Sequence, residues 1–189
     1  MKKVLLSAMT ICLIAATSYG QSENYKPFKV GIGLGYAVPS DGGGGVAIYL
    51  EPAYRLKDAI AIGLRLESAV LAKTIGTTEA SASGNASYTL NGQYYLSNAK
   101  FRPFVGLGLG IFSLASVSVN TNGTTGAAAS GSEFGFYPRL GFDLGHFNFI
   151  FDYNIIPATK PEVTVGSIPD IKNSYFTIKI GASIGGGEK

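Results

Sequence analysis

The residues from Arg102 to Ile111 alternate between bulky apolar side chains and glycine, and this alternation limits the folds open to the chain. Val105, Leu107 and Leu109 share one parity with Ile111, while the positions between them are glycines. A period of two is typical of a β-strand, because successive side chains point to opposite faces. A strand of a soluble sheet normally has polar residues opposite its core face. One apolar face and one bare face therefore predict a wall strand of a small closed barrel whose apolar face meets lipid.

The same period recurs along the chain and predicts about eight strands. The other strands are expected at residues 28–37, 46–55, 60–67, 86–96, 134–144, 147–155 and 176–184. Hydrophobic residues make up 46% of the chain, yet no segment after residue 20 approaches the ~20 continuous apolar residues of a membrane helix. We therefore expect an all-β fold, a single antiparallel up-and-down transmembrane β-barrel. Pro52 and Pro138 fall inside strands, where we expect bulges or breaks in the hydrogen-bond ladder.

The predicted connections alternate in length, and this alternation assigns the two ends of the barrel. Connections after the second, fourth and sixth strands are short, whereas those after the odd-numbered strands are mostly long. Brief periplasmic turns and larger external loops are the pattern of bacterial outer-membrane barrels. The polar segments Lys73–Asn85, Ser118–Ser132 and Pro157–Asn173 are therefore predicted to be external loops, available to an extracellular ligand.

The N-terminal segment, residues 1–20, has the features of a secretory signal peptide. Lys2 and Lys3 form a basic end, Val4–Ala16 is a short apolar run, and small residues around Ser18 allow cleavage. We therefore divide the chain into a signal peptide at residues 1–20 and an outer-membrane β-barrel domain at residues 21–189. The net charge of +3 becomes smaller still without the two lysines, so a role in nucleic acid binding is not expected.

Charged residues of the predicted strands all lie on the face opposite the apolar row. They are Lys29, Glu51, Arg55, Arg65, Glu67, Arg139, Asp143, Asp152 and Lys179. An unpaired charge facing lipid costs ~2–4 kcal/mol near the bilayer midplane, so this sorting is expected when the apolar face is outside. The opposed signs predict a polar network in the lumen, since an eight-stranded barrel is just wide enough for its side chains to fill it. The alternative is a secreted, soluble, lipocalin-like barrel with its apolar face inside, but its glycine-rich outer face would form weak strands.

Aromatic residues lie near both ends of the predicted strands. Near the loops they are Tyr36, Tyr88, Phe134, Tyr153 and Phe176, and near the turns they are Tyr54, Tyr94, Phe142 and Phe147. Two belts of rings at the two membrane–water interfaces are therefore expected.

Together these features resemble the small outer-membrane barrels of the OmpA/OmpX-like type, within the broad family of outer-membrane β-barrel domains. The resemblance rests on the signal peptide, on Lys100–Gly110 and on Gly141–Gly145. It implies location in the outer membrane of a Gram-negative cell, with outer-membrane lipid and the outer-membrane assembly machinery as partners. It also implies non-enzymatic envelope roles, such as wall integrity, adhesion or binding through external loops, or passage of small molecules. The chain departs from the family where Gly185–Lys189 replaces the terminal aromatic residue that the assembly machinery reads.

Catalytic, cofactor and metal chemistry have little support in the sequence. His146 is the only histidine and falls in a predicted periplasmic turn, where a lone imidazole is usually just solvated. Cys12 is the only cysteine and lies within the signal segment, so thiol chemistry is not expected after export. We expect no catalytic, cofactor-binding or metal site. The leading hypothesis is a structural or interaction protein of the envelope, and the alternatives are a narrow channel for small solutes or apolar molecules and the secreted lipocalin-like barrel.

Overall fold

The computed structural model describes residues 23–75, 79–120, 125–159 and 172–189. Its strands, in chain order, are β1 (Phe28–Pro39), β2 (Gly44–Lys57), β3 (Ile60–Ile75), β4 (Glu79–Tyr95), β5 (Phe101–Asn120), β6 (Thr125–Leu144), β7 (Phe147–Asn154) and β8 (Tyr175–Gly185). The signal peptide expected at residues 1–20 lies outside the described residues and stays a prediction. Within the described ranges, no helix is long and apolar enough to cross a membrane.

Consecutive strands pair antiparallel, and β1 also pairs with β8, so that the sheet closes into a barrel. The closing ladder runs from Lys29 opposite Gly185 to Pro39 opposite Tyr175, along nearly all of β1. This architecture confirms the predicted up-and-down antiparallel barrel of about eight strands. We call the end with the tight turns after β2 and β6, where β1 begins and β8 ends, the turn end. The opposite end is the loop end.

Each strand-interior proline interrupts the ladder on one side. Pro52 pairs with β1 but is skipped in the ladder with β3, which passes from Leu50 to Ala53. Pro138 pairs with β5, whereas the continuous ladder with β7 stops at Arg139. Proline has no N–H to donate, so one neighbouring strand loses a hydrogen bond at each site. The ladder breaks expected at both prolines are confirmed, and the strand register continues unchanged across them.

Two of the three predicted external loops are largely strand. Most of Lys73–Asn85 belongs to β3 and β4, which pair as far as Ile75. Most of Ser118–Ser132 belongs to β5 and β6, which pair as far as Val119. The loop prediction is wrong there because it relied on apolar alternation, whereas ladder hydrogen bonds come from the backbone and need no apolar face. Residues 76–78, 121–124 and 160–171 lie outside the described residues, so most of the third loop, Pro157–Asn173, is untested.

Because these segments are strand, the connections between the strands also differ in length from those predicted. β1 and β2 are separated by residues 40–43, and β3 and β5 also end within a few residues of the next strand. The long connection at the loop end follows β7, at residues 155–174. The expected alternation of long and short connections therefore does not hold after β1, β3 and β5.

The two faces of the wall are sorted by polarity, with the apolar face outside. Leu107 is 56% exposed and Ile180 is 61% exposed, whereas Arg65 and Asp152 are fully buried in the lumen. The aromatic residues expected at the strand ends face outward as well. Exposed rings among them are Tyr36, Tyr54, Tyr88, Tyr94, Phe134, Phe147 and Tyr153, while Phe142 and Phe176 are half-buried. This sorting is the reverse of that in a lipocalin-like barrel.

Candidate functional site

Charged side chains form a neutral cluster across the middle of the lumen, which we call the central ion cluster. Its members are Glu51, Arg65, Glu67, Arg139, Asp152 and Lys179, from β2, β3, β6, β7 and β8. Carboxylates and cations are equal in number, so the cluster carries no net charge. A buried charge is tolerated only when it is paired and hydrogen-bonded.

Asp152 is the hub of the central ion cluster, because three cations converge on its carboxylate. Arg65 Nη1 donates to Asp152 Oδ2 over 2.7 Å, and Lys179 Nζ donates to the same oxygen over 2.5 Å. Arg139 Nε donates to Oδ1 over 3.0 Å. Arg139 and Asp152 are also direct register partners on β6 and β7. Because the donors come from β3, β6 and β8, these bonds tie opposite walls of the barrel together.

Two glutamates complete the cluster. Arg139 Nη1 donates to both carboxylate oxygens of Glu51, over 2.7 and 2.9 Å. Lys179 Nζ donates to Glu67 Oε2 over 2.6 Å, and the Tyr175 hydroxyl donates to Glu67 Oε1 over 2.9 Å. Bonds between ionised groups of this length are the stronger kind of hydrogen bond. The cluster is therefore a rigid cross-link rather than a set of loose charges.

Apolar layers lie on both sides of the central ion cluster. The layer toward the loop end contains Ala37, Ala47, Ala69, Leu71, Phe112, Tyr137, Ile156 and Tyr175. The layer toward the turn end contains Tyr49, Ala61, Tyr95, Phe104 and Ile150. A cavity beside Glu51 and Gln93 has a volume of only about 10 Å³, which is near the lower limit for one water molecule. This part of the lumen is therefore filled by side chains, as is typical of eight strands.

Glycines on the lumen face make room for the large rings of these layers. Gly33 lies opposite Tyr49, and Gly108 lies opposite Tyr137, in the strand registers. A Cβ atom added at either glycine would overlap the ring of the opposing tyrosine. Contact of a ring with a cross-strand glycine is a known device for stabilising sheets. The lumen glycines therefore leave space for large side chains at these two positions.

A second ion pair lies between the central ion cluster and the turn end. Lys29 Nζ of β1 donates to Asp143 Oδ2 of β6 over 2.5 Å. The Tyr95 hydroxyl of β4 donates to the same oxygen over 3.0 Å. These two hydrogen bonds link β1, β4 and β6 across the lumen.

Two arginines and two tyrosines close the turn end, and we call Tyr25, Arg55, Tyr95 and Arg102 the mouth cluster. Arg102 Cζ lies 3.8 Å from the ring centroid of Tyr25 and 4.3 Å from that of Tyr95. Arg55 Cζ lies 4.6 and 5.1 Å from the same two centroids. Tyr25 is held there by a β-bridge to Glu188, which joins the segment before β1 to the segment after β8. Guanidinium groups over ring faces are stabilised by cation–π attraction.

Of the charged residues that the sequence assigns to the lumen, Lys29 is partly buried and the other eight are buried, but they are not all brought together. Arg55 stands apart, because its Nη1 donates to the backbone carbonyl of Gly186 over 3.2 Å instead of to a carboxylate. Arg102 is absent from the sequence-based set, although it has the parity of Gly106 and Gly108 and is buried. Extending the same alternation by four residues toward the strand's start would have found it.

The remaining candidates considered from the sequence are the imidazole of His146 and a metal site. His146 lies in the tight turn after β6, where its Nδ1 is 3.0 Å from the carbonyl oxygen of Ser183. Across residues 23–75, 79–120, 125–159 and 172–189, no group of histidine, cysteine, aspartate and glutamate residues is arranged to hold a metal ion.

Comparison with known proteins identifies the fold. No family model matches the sequence, and no curated protein matches it. The structure is similar to that of Ail, the attachment invasion locus protein of Yersinia pestis, in complex with the heparin analogue sucrose octasulfate. That match has a TM-score of 0.55 and 14% identity, and it covers 84% of this chain and 99% of Ail. The outer membrane protein OprG from Pseudomonas aeruginosa matches with a TM-score of 0.51 and 14% identity, over 87% of this chain and 98% of OprG. The chain therefore has the fold of the small bacterial outer-membrane β-barrels.

Proposed function

We propose that this chain is a non-enzymatic β-barrel protein of the bacterial outer membrane, with a structural or interaction role in the cell envelope. The observation that carries the proposal is the combination of an apolar outer wall with a polar lumen whose central ion cluster is neutral. Lipid favours the apolar outer wall, because hydrocarbon cannot hydrate polar groups. Ion pairs in the lumen are favoured in a narrow barrel, because they help it to keep its shape. The signal peptide expected at residues 1–20 supplies export, and lipid and the outer-membrane assembly machinery are the expected partners.

Rows of exposed rings support a lipid-facing band of limited height. Tyr88, Ile111 and Phe134 are register neighbours on β4, β5 and β6, toward the loop end. Tyr94 and Val105 are register neighbours toward the turn end. Tyrosine and phenylalanine girdles at both interfaces are typical of outer-membrane barrels. The aliphatic residues between these rows would then lie in the hydrocarbon core.

The loop end is the proposed interaction surface. β5 continues from Ile111 to Asn120, which is roughly 30 Å of strand at about 3.3 Å per residue, and β6 accompanies it. β3 and β4 extend beyond the row of Tyr88 in the same way. These hairpins would stand outside the bilayer on the external side, where they are accessible to an extracellular ligand. A closer kinship to the OmpA/OmpX-like type is part of this proposal.

Membrane fractionation tests the proposal. The protein should sediment with outer membranes, resist extraction by carbonate and high salt, and require detergent for release. Its gel mobility should change on heating, because a folded barrel in detergent migrates differently from the unfolded chain. Recovery of the protein in the soluble periplasmic or culture fraction without detergent would overturn the proposal.

The filled lumen bears on the channel alternative. Two apolar layers and the central ion cluster occupy the middle of the lumen, so we expect no discrete openings in planar bilayers. Single-channel steps from the purified protein that disappear in a protein-free control would favour the channel over the structural role.

A further inference from the structure

The two arginines of the mouth cluster lack the counter-ions that the other lumen cations have. Lys29 pairs with Asp143, and the cations of the central ion cluster share three carboxylates. Within the described part of the chain, neither Arg55 nor Arg102 has a carboxylate within 4.0 Å. Arg102 instead donates to the backbone carbonyls of Ser97 and Asp58. The turn end therefore has two guanidinium groups without a directly paired carboxylate among the described residues.

The lack of a paired carboxylate is energetically costly for Arg55 and Arg102, because of how the two side chains are placed. Both guanidinium groups lie over the same two rings, those of Tyr25 and Tyr95, so two like charges are held close together. Arg55 is only 3% exposed, and its Nε has no hydrogen-bond partner. Buried charges and buried donors are normally paired, because water is not there to compensate them. Ring faces offset part of this cost but accept no hydrogen bond of normal strength.

A cavity opens beside these arginines. It has a volume of about 460 Å³, and Tyr25, Lys29, Lys100 and Arg102 contribute to its lining. Gly186, whose carbonyl accepts from Arg55, also lines it. Two carboxylates lie on its wall: Asp143 is paired with Lys29, and Glu188 is exposed. The surplus charge of the lining, with Arg55 behind it, is therefore positive.

We propose that this cavity binds a phosphate group, which supplies the missing counter-charge to Arg55 and Arg102. A guanidinium presents a planar fork of donors that matches phosphate oxygens, and it stays charged when buried. The fork of Arg102 and the ammonium group of Lys100 line the cavity, and with the charge of Arg55 behind them they suit a compact anion with several oxygens and up to two charges. The phosphate belongs either to a soluble ion or to a lipid headgroup at the membrane surface, since the mouth lies at the turn end.

The test measures binding of inorganic phosphate to the refolded full barrel in zwitterionic detergent, by titration calorimetry at constant ionic strength. We expect saturable binding at one site per chain, and binding at least about tenfold weaker in Arg102→Gln, which loses a charged fork of the lining. Arg55→Gln should also weaken binding, because it removes a positive charge behind the lining. Lys57→Gln is the matched control. Lys57 is an exposed cation at the same end of β2 that does not line the cavity, so its loss should change the affinity less than twofold.

Two further measurements keep the proposal open to refutation where a glutamine variant does not fold. Arg102→Lys retains the charge without the fork, and it should bind more weakly than the native protein. Phosphate should also raise the unfolding midpoint of the native protein above its value in chloride of equal ionic strength, because a ligand of the folded state stabilises it.

The source of the phosphate is decided by competition. Displacement of inorganic phosphate by short-chain phosphatidylglycerol, but not by glycerol phosphate, assigns the site to a lipid headgroup. Displacement by glycerol phosphate, but not by short-chain phosphatidylglycerol, assigns the site to a soluble anion. Absence of saturable binding, or equal weakening by Lys57→Gln and the arginine variants, would overturn the proposal, and neither result bears on location in the outer membrane.

Discussion

Gly108 on β5 lies directly opposite Tyr137 on β6, and the phenol ring fills the volume that a side chain at position 108 would need. The same ring lies under the guanidinium of Arg65, whose Cζ is 3.7 Å from the ring centroid. The Tyr137 hydroxyl is 3.1 Å from Thr89 Oγ1. A bare glycine on one strand thus positions an aromatic ring that supports the central ion cluster.

Replacement of this glycine should therefore destabilise the barrel. We expect Gly108→Ala to lower the free energy of unfolding by about 1–3 kcal/mol, as is usual for overpacking, in urea titrations of the protein refolded into lipid vesicles. Gly92→Ala is the control, because a Cβ atom at Gly92 would meet nothing within 4 Å and should change stability by no more than about 0.5 kcal/mol. Equal losses at both positions would contradict the assigned role of Gly108.

Loss of the carboxylate hub should be more severe. Asp152→Asn leaves Arg65, Arg139 and Lys179 with one buried negative partner fewer, so we expect a loss of about 3–5 kcal/mol in the free energy of unfolding. Folding yield on gels that separate folded from heated protein gives a second readout. Glu23→Gln, at an exposed carboxylate, should leave both quantities unchanged. A folded Asp152→Asn barrel of native stability would remove the central ion cluster from the account.

The Lys29–Asp143 pair can be examined by a double-mutant cycle. Lys29→Met and Asp143→Asn should each destabilise the barrel, because each leaves one buried partner without its opposite charge. The double variant should lose less than the sum of the two, with a coupling energy of about 0.5–3 kcal/mol. Additive losses in urea titrations would show that the two side chains, 2.5 Å apart, do not stabilise each other.

The outer wall gives a prediction that separates a membrane barrel from a soluble one. Leu109 is 46% exposed and lies between the two rows of rings, so Leu109→Arg should cost about 2–4 kcal/mol in a bilayer. In a soluble barrel, the same change at an exposed position would be nearly neutral. Ser113 is on the same face of β5, beyond the row that contains Ile111. Ser113→Arg should therefore change the free energy of unfolding in vesicles by about 1 kcal/mol or less.

Most of the fold could be predicted from the alternation of side chains along each strand. Strand identity and the lumen location of residues such as Lys179 follow from a period of two, because a strand cannot move one residue without exchanging its faces. The ladder breaks at Pro52 and Pro138 were predicted separately, from the N–H that proline lacks. Prediction from alternation failed at Lys73–Asn85 and Ser118–Ser132, where serine, alanine and glycine leave no apolar row to follow although the backbone still pairs.

The ion pairs inside the lumen could not be predicted from the sequence, for a different reason. Parity assigns Asp152 and Arg65 to one face, but it does not say which walls face each other across the barrel. That depends on how far the register shifts at each strand pair before the sheet closes. The convergence of three cations on Asp152, and the isolation of Arg55 and Arg102 at the turn end, appear only once the barrel is closed.

The central claim, that the apolar wall faces lipid, is tested most directly by a single fluorescent label on β5. In a chain with Cys12 replaced by serine, Leu109→Cys carries an environment-sensitive probe, and Ser113→Cys carries it as the matched control beyond the row of rings. In vesicles containing nitroxide-labelled lipid, we expect blue-shifted and strongly quenched emission at position 109, and weaker quenching at position 113. Water-like emission at position 109, quenched by soluble iodide and not by the lipid nitroxide, would contradict the account.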